Sequence, residues 1–246
     1  DTEYKPVEQF YNIHIASIQP TFLGTKNQDW TIHENWVNGI QPNGSDDFVV
    51  ILAPTSISGM QINVKGLQIA DNGAITVTST GGMTVGEKGV SSAKNESRIS
   101  IDNTPEGAGF FRIHPVAVTN GDTPATVTVN YTTKAKSGDP RDEIWQYVGA
   151  PGNNMQMSND GILVYHWKEQ KGWLLADTKM QPFVGYALTR TTEGSNNYEI
   201  HAEPVYTDQV IQLTKTASGM NGDNLFANSY LAPIDVRKID KDDIID

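Results

Sequence analysis

Residues able to give, take or hold charge are few in this chain and widely scattered. There are five histidines and no cysteine, so no thiolate nucleophile, thiolate metal site or disulfide can form. Neither a Gly-x-Ser-x-Gly elbow nor a His-Glu-x-x-His helix motif occurs, and the histidines lack ligand spacing. His14, between Ile13 and Ile15, has no carboxylate or histidine two residues on and reads as a solvated strand residue. His33 and Glu34 are adjacent, and neighbours on an extended chain point to opposite faces. Gly81-Gly-Met-Thr-Val-Gly86 comes nearest to a phosphate cradle, yet it lacks the Lys-Ser/Thr sequel and a following helix. The Asp-rich tail from Asp235 has no glycine for a Ca²⁺ loop. Asp102, Glu106 and Arg112 form the one cluster that suggests polysaccharide lyase or glycosidase chemistry. The expectation is no catalytic residue, no metal, no cofactor and no enzyme.

Aromatic residues are the other candidates. Tyr165, Trp167, Trp173, Phe183 and Tyr186 crowd one stretch. A flat ring stacks on the apolar face of a pyranose, which makes Trp167, Trp173 and Tyr165 candidate ligand-binding residues. Cross-strand pairing inside a sandwich explains the same composition, and core packing is the favoured reading. Trp30 and Trp36, in a turn-rich segment, likewise read as large side chains that cover the open end of a β core.

Short strands must position these residues. Abundant Gly, Asn, Ser and Thr with 19% charged residues point to an all-β class. Residues 10–18 alternate as a strand before Pro20. From Phe48 to Tyr131, runs such as Phe48-Val-Val-Ile-Leu52, Gln61-Ile-Asn-Val64, Ala74-Ile-Thr-Val77 and Arg98-Ile-Ser-Ile101 are too short to build sandwich layers singly. Stacked as a coil they bury a continuous column, so a short β-solenoid is expected from about residue 48, with a solenoid-like or Greek-key sandwich left open. The corners Asp71-Asn-Gly73, Gly81-Gly82, Gly86-Glu-Lys-Gly89 and Asn120-Gly121-Asp122 are expected to supply positive φ.

The polar segment 132–142 reads as a linker between an N-terminal β module over 1–140 and an antiparallel β-sandwich module over 141–246. In the second module Gly161–Trp167 and Trp173–Ala176 form a hairpin, and Pro182–Thr189, Asn197–Ala202 and Gln209–Thr214 supply further strands. The motif Asn224-Leu-Phe-Ala-Asn-Ser-Tyr-Leu-Ala-Pro233 anticipates more strands, and hence a longer protein.

A formal charge of −11 argues against nucleic acid or anionic membrane as partner. No apolar run of about eighteen residues exists to span a membrane. A polar start at Asp1 reads as a mature boundary after export-signal removal, and hence an extracellular or cell-surface location.

Short Ile/Val strands with Asn-Gly corners lead into Trp145-Gln-Tyr-Val-Gly-Ala-Pro151. Val164-Tyr-His-Trp167, Gly172-Trp173, Met180-Gln-Pro-Phe-Val-Gly-Tyr-Ala-Leu188 and the Asn224–Asp235 motif follow. This succession resembles large surface and secreted proteins of the Bacteroidetes, over most of residues 57–236. The chain departs from that pattern at Asp223, where Trp is expected, and at Ser229, where Pro is expected. The resemblance implies a cell-surface or secreted protein with an adhesive or structural role, without identifying a ligand; with no catalytic motif present, a non-enzymatic protein is expected, and a glycan or a host or bacterial surface protein is the partner class considered. A carbohydrate-binding module of a glycan-utilisation system is the alternative, and a lyase or glycosidase the third reading. Both the resemblance and the module boundary lead us to expect a buried Trp145 and a strand ended by Pro151.

Overall fold

The computed structural model describes residues 19–45, 47–92, 98–132, 144–157, 162–176, 179–190, 197–217 and 222–239. The expected strand over 10–18 with His14, the connector over 133–142 and the acidic tail beyond Ile239 lie outside those residues.

The described chain is all-β. After β1 (Thr21–Phe22) come β2 (Phe48–Ile51), β3 (Pro54–Ile57), β4 (Gln61–Val64), β5 (Gly66–Ile69), β6 (Ala74–Val77), β7 (Gly82–Val85) and β8 (Val90–Ser92). β9 (Ile99–Thr104), β10 (Gly107–Ala108), β11 (Phe110–Ile113), helix α1 (Pro115–Asn120) and β12 (Val127–Thr132) follow. A first sheet is ordered β1-β2-β5-β8, a second contains β12-β9-β6-β3, and a third is β11-β7-β4, with every neighbour in these runs parallel. The chain therefore visits the three sheets in the same order through β2-β3-β4, β5-β6-β7 and β8-β9-β11. Register carries Thr55 onto Ile75 and Ile99, and Ile101 onto Val129, so successive rounds lengthen and no fixed sequence period results.

Strand alternation sends one residue in two inward. Val49, Ile51, Leu67, Ile69, Ile75, Val77, Met83, Val85, Ile99, Ile101, Phe111 and Val129 are all essentially buried in one cluster. Each such side chain contributes roughly 1.5–3 kcal/mol by leaving water. Trp30 and Trp36, in T-shaped contact at 4.8 Å, join Phe22 at one end of the cluster. Between them Asn35 is fully buried. Its Oδ1 accepts from the Lys26 and Asn27 amides (2.8 and 3.1 Å), and its Nδ2 donates to Asn27 Oδ1 and Asp29 O (both 2.8 Å). The segment around His33 and Glu34 is a 3-10 turn rather than extended chain.

Two local expectations need correction. Of the corner glycines, Gly89 and Gly121 do adopt positive φ, at 60° and 78°, whereas Gly73, Gly81, Gly82 and Gly86 do not. They are glycine because neighbouring rounds stack too closely for a side chain: a Cβ would lie 2.3 Å from Ile51 O at Gly73 and 2.2 Å from Ile57 O at Gly81. Helix α1 was also unforeseen, although His114 caps it, Pro115 stands at its first turn and Gly121 closes it in the left-handed conformation.

The remaining strands are β13 (Gln146–Gly149), β14 (Asn153–Met157), β15 (Ile162–Lys168), β16 (Gly172–Leu175), β17 (Gly185–Arg190) and β18 (Asn197–Glu203). A fourth, antiparallel sheet is ordered β13-β17-β15-β16. β18 instead joins the second sheet, antiparallel to β12 from Val127–Ala202 to Thr132–Asn197, and β14 extends it beyond β18. The inner side of that extension carries Met155, Tyr198 and Ile200, which pack with Val164, Tyr186 and Leu188 of the fourth sheet in a second core. Tyr131 borders both cores, so one seven-stranded sheet runs from the first into the second.

Trp145 is 44% exposed, against the expectation that it is buried. The support it was to lend to the module boundary and to the resemblance falls with it. β13 ends at Gly149, two residues ahead of Pro151. Gln209–Thr214 forms no strand; it is tethered instead by Asn224, whose side chain accepts from Thr214 N (3.0 Å) and donates to Thr214 O (2.9 Å).

Candidate functional site

The fourth sheet turns one face to the second core and the other outward. Paired residues share a face, so register assigns the outward side chains. One row runs Tyr147, Ala187, Tyr165, Leu175 across β13, β17, β15 and β16. The next pairs Gly149 with Gly185 and Trp167 with Trp173. Toward the other end Leu163 faces Thr189, and Trp145, one residue ahead of β13, continues the alternation.

Small residues on the central strand shape this face. Ala187 stands between Tyr147 and Tyr165 in its row, and Ala187 and Thr189 are buried. Tyr147 and Trp173 come from opposite edges of the sheet, yet their rings meet at 6.2 Å and 24°. Trp173 also contacts Trp167 edge to face at 5.5 Å, and Trp145 contacts Tyr165 in the same manner at 5.5 Å. Tyr147 remains 74% exposed and Trp173 41%. This is a floor of rings open to solvent, whose outward positions on all four strands are uncharged.

A strap of residues 222–228 borders the floor. It crosses where Gly149 and Gly185 leave room: a Cβ on either would lie 2.5 Å from Ala227 Cβ or Leu225 Cγ. Trp167 Nε1 donates to Asp223 O at 2.7 Å, so that indole is fixed against the strap. The β15–β16 turn holds the strap as well, since the buried Glu169 carboxylate accepts from Thr216 Oγ1 (2.7 Å) and Gly222 N (3.2 Å).

Trp167, Trp173 and Tyr165 thus share one face. Phe183 and Tyr186 do not join them: Tyr186 faces the second core, its hydroxyl accepting from Gln181 N, and Phe183 stands against Tyr230 at 5.1 Å. Tyr147 and Trp145 also belong to this face; Trp145 was expected in the core, and Tyr147 was not singled out. The available signal was the small series Gly185, Ala187, Thr189 on the neighbouring strand, which suits rings lying across it.

Other polar groups converge less. Asp102 Oδ1 accepts from Asn130 Nδ2 at 2.8 Å on the second sheet, Glu106 sits in the turn after β9, and Arg112 belongs to the third sheet. Across β12 and β18, Thr128 Oγ1 and His201 Nδ1 lie 3.1 Å apart, and His201 Nε2 is 2.7 Å from Glu199 Oε1. That hydroxyl, imidazole and carboxylate chain was invisible in the sequence because Thr128 and His201 are 73 residues apart. β12 is paired on both edges, so its amides are spent in ladders rather than offered to an oxyanion. Among the described residues no group of three or more His, Asp or Glu is placed to hold a metal ion, and no helix is long and apolar enough to cross a membrane. A groove of about 1020 Å³ lies between residues 208–214 and 226–239, with Val210, Leu213, Phe226 and Ile234 exposed along it.

Comparison with family models, curated proteins and solved structures returns no match. The functional reading rests on the geometry.

Proposed function

We propose that this is a non-enzymatic adhesive or structural protein of the bacterial surface or exterior, which makes contact through the outward aromatic face of the antiparallel sheet. We read the three rounds of parallel strands as a short β-solenoid that serves as its rigid base. The observation that carries the proposal is the exposure of Tyr147 and Trp173 on an uncharged face. Rings left in water are costly to solubility and are a common mark of an interaction surface. Ring-to-ring contacts and the Trp167–Asp223 hydrogen bond support the reading, since side chains already held in place lose little entropy on binding. A carbohydrate-binding module is the second reading, favoured by the exposed Tyr147 and Trp173 rings standing side by side on one uncharged sheet face.

The test is retention of protein-coated beads on bacterial and host-cell surfaces. Tyr147→Ala and Trp173→Ala, each with an unchanged melting curve, are expected to lose retention. Full retention by both variants would contradict the proposal.

A further inference from the structure

We infer that the aromatic face takes an uncharged polysaccharide chain, with Trp173 and Tyr147 as its stacking floor and Trp145 as a further contact; this rests on the binding role proposed above.

Charge argues for a neutral ligand. The chain carries −11 overall, yet the outward positions of β13, β15, β16 and β17 bear no charge of either sign. An anionic glycan would bring carboxylates or sulfates onto described strand positions that offer no cation, on a chain of net negative charge. A neutral chain loses nothing there. Its ring faces are apolar and suit contact with the exposed Trp173 and Tyr147 side chains, while its hydroxyl edges stay in water.

Dimensions argue for a chain rather than a single sugar. The Tyr147 and Trp173 ring centroids are 6.2 Å apart across the sheet, and that pair is only part of the floor. Trp145 and Tyr165, in contact at 5.5 Å, continue the floor along the strands. On the other side the strap raises Leu225 and Ala227 above Gly185 and Gly149 and gives the floor a wall. Trp167, its N–H held by Asp223 O, positions that wall, whereas Trp173 and Tyr147 keep 41% and 74% of their surface exposed.

The experiment is affinity electrophoresis of the intact chain in gels cast with neutral polymers (β-glucan, galactomannan, xylan) or anionic ones (polygalacturonate, alginate), at low and high salt. Retardation by at least one neutral polymer, insensitive to salt, is expected. Trp173→Ala and Tyr147→Ala should each weaken it about tenfold or more, a loss of about 1.4 kcal/mol, and Trp173→Phe should restore part of it. Tyr147→Ala guards against misfolding, because Tyr147 is the most exposed of these rings. Retardation only by anionic polymers, and lost at high salt, overturns the neutral-ligand inference while leaving the contact face in place. Neutral retardation that both alanine variants retain puts the glycan elsewhere and overturns it too. If no polymer is bound but the beads still adhere through Tyr147 and Trp173, the partner is a protein and only this inference falls. If the beads also fail to adhere, both fall.

Discussion

Two outward faces of this molecule share one strand period and differ in every other respect. On the second sheet, register lines up Ser56, Thr76, Ser100 and Thr128, a row of short hydroxyl side chains over the isoleucine and valine column beneath. On the fourth sheet the corresponding positions hold Tyr147, Tyr165, Trp167 and Trp173. Alternation determines which residues share a face, but polarity alone does not say which face is inside. On the parallel sheets the apolar face is the core. On the antiparallel sheet both faces are apolar, and the larger rings are on the wet one.

That contrast is open to attack from both ends. The heaviest loss is expected on the dry side: Phe111→Ala empties a fully buried ring position and should cost about 3–5 kcal/mol, read from the shift in urea midpoint. Asn35→Ala should cost about 3 kcal/mol, because the amides of Lys26 and Asn27 lose their acceptor under the tryptophan cap. On the wet side Trp173→Ala should cost only about 1 kcal/mol, the scale of the ring contacts it makes with Trp167 and Tyr147.

A smaller effect follows from His166, on the inner face. Burial, and secondarily the Lys168 charge, hold its pKa below the ordinary value of 6.5. The unfolded chain therefore takes up the proton first as pH falls. The associated stability is fully present above about pH 6.5 and is lost as pH drops toward the depressed folded value. His166→Asn should flatten that part of the stability–pH curve in denaturation series. Least of all, Tyr206→Phe is expected to leave stability unchanged within about 0.5 kcal/mol or raise it. Its buried hydroxyl has no hydrogen-bond partner among the described residues, and burial drives its pKa well upward.

Much of the fold was legible. The short Ile/Val runs and their Asn-Gly corners announced an all-β chain, and Trp30 and Trp36 do close the end of a core. Less legible was the reason for the glycines: at Gly73 and Gly81 the constraint comes from the backbone of the preceding round, a long-range contact that no local pattern encodes. The 209–214 segment misled in the opposite sense. Its Val210, Ile211 and Leu213 suit a strand by composition, but the segment pairs with no sheet and is held by the Asn224 side chain instead. The candidate site was half legible, since Tyr165, Trp167 and Trp173 were identified by type. Whether they faced ligand or core depended on which elements supply the second core's other wall. That wall is β14 and β18, borrowed from the sheet of the first core, so the outer aromatic face was left uncovered.

The central claim, that this face is a contact surface and not a misplaced core, is tested most directly by the Tyr147→Ala/Trp173→Ala double variant, measured together for urea midpoint and for retention on its target. The account predicts a stability loss well below that of Phe111→Ala and the disappearance of retention. A loss as large as that of Phe111→Ala, or undiminished retention by a folded double variant, would contradict it.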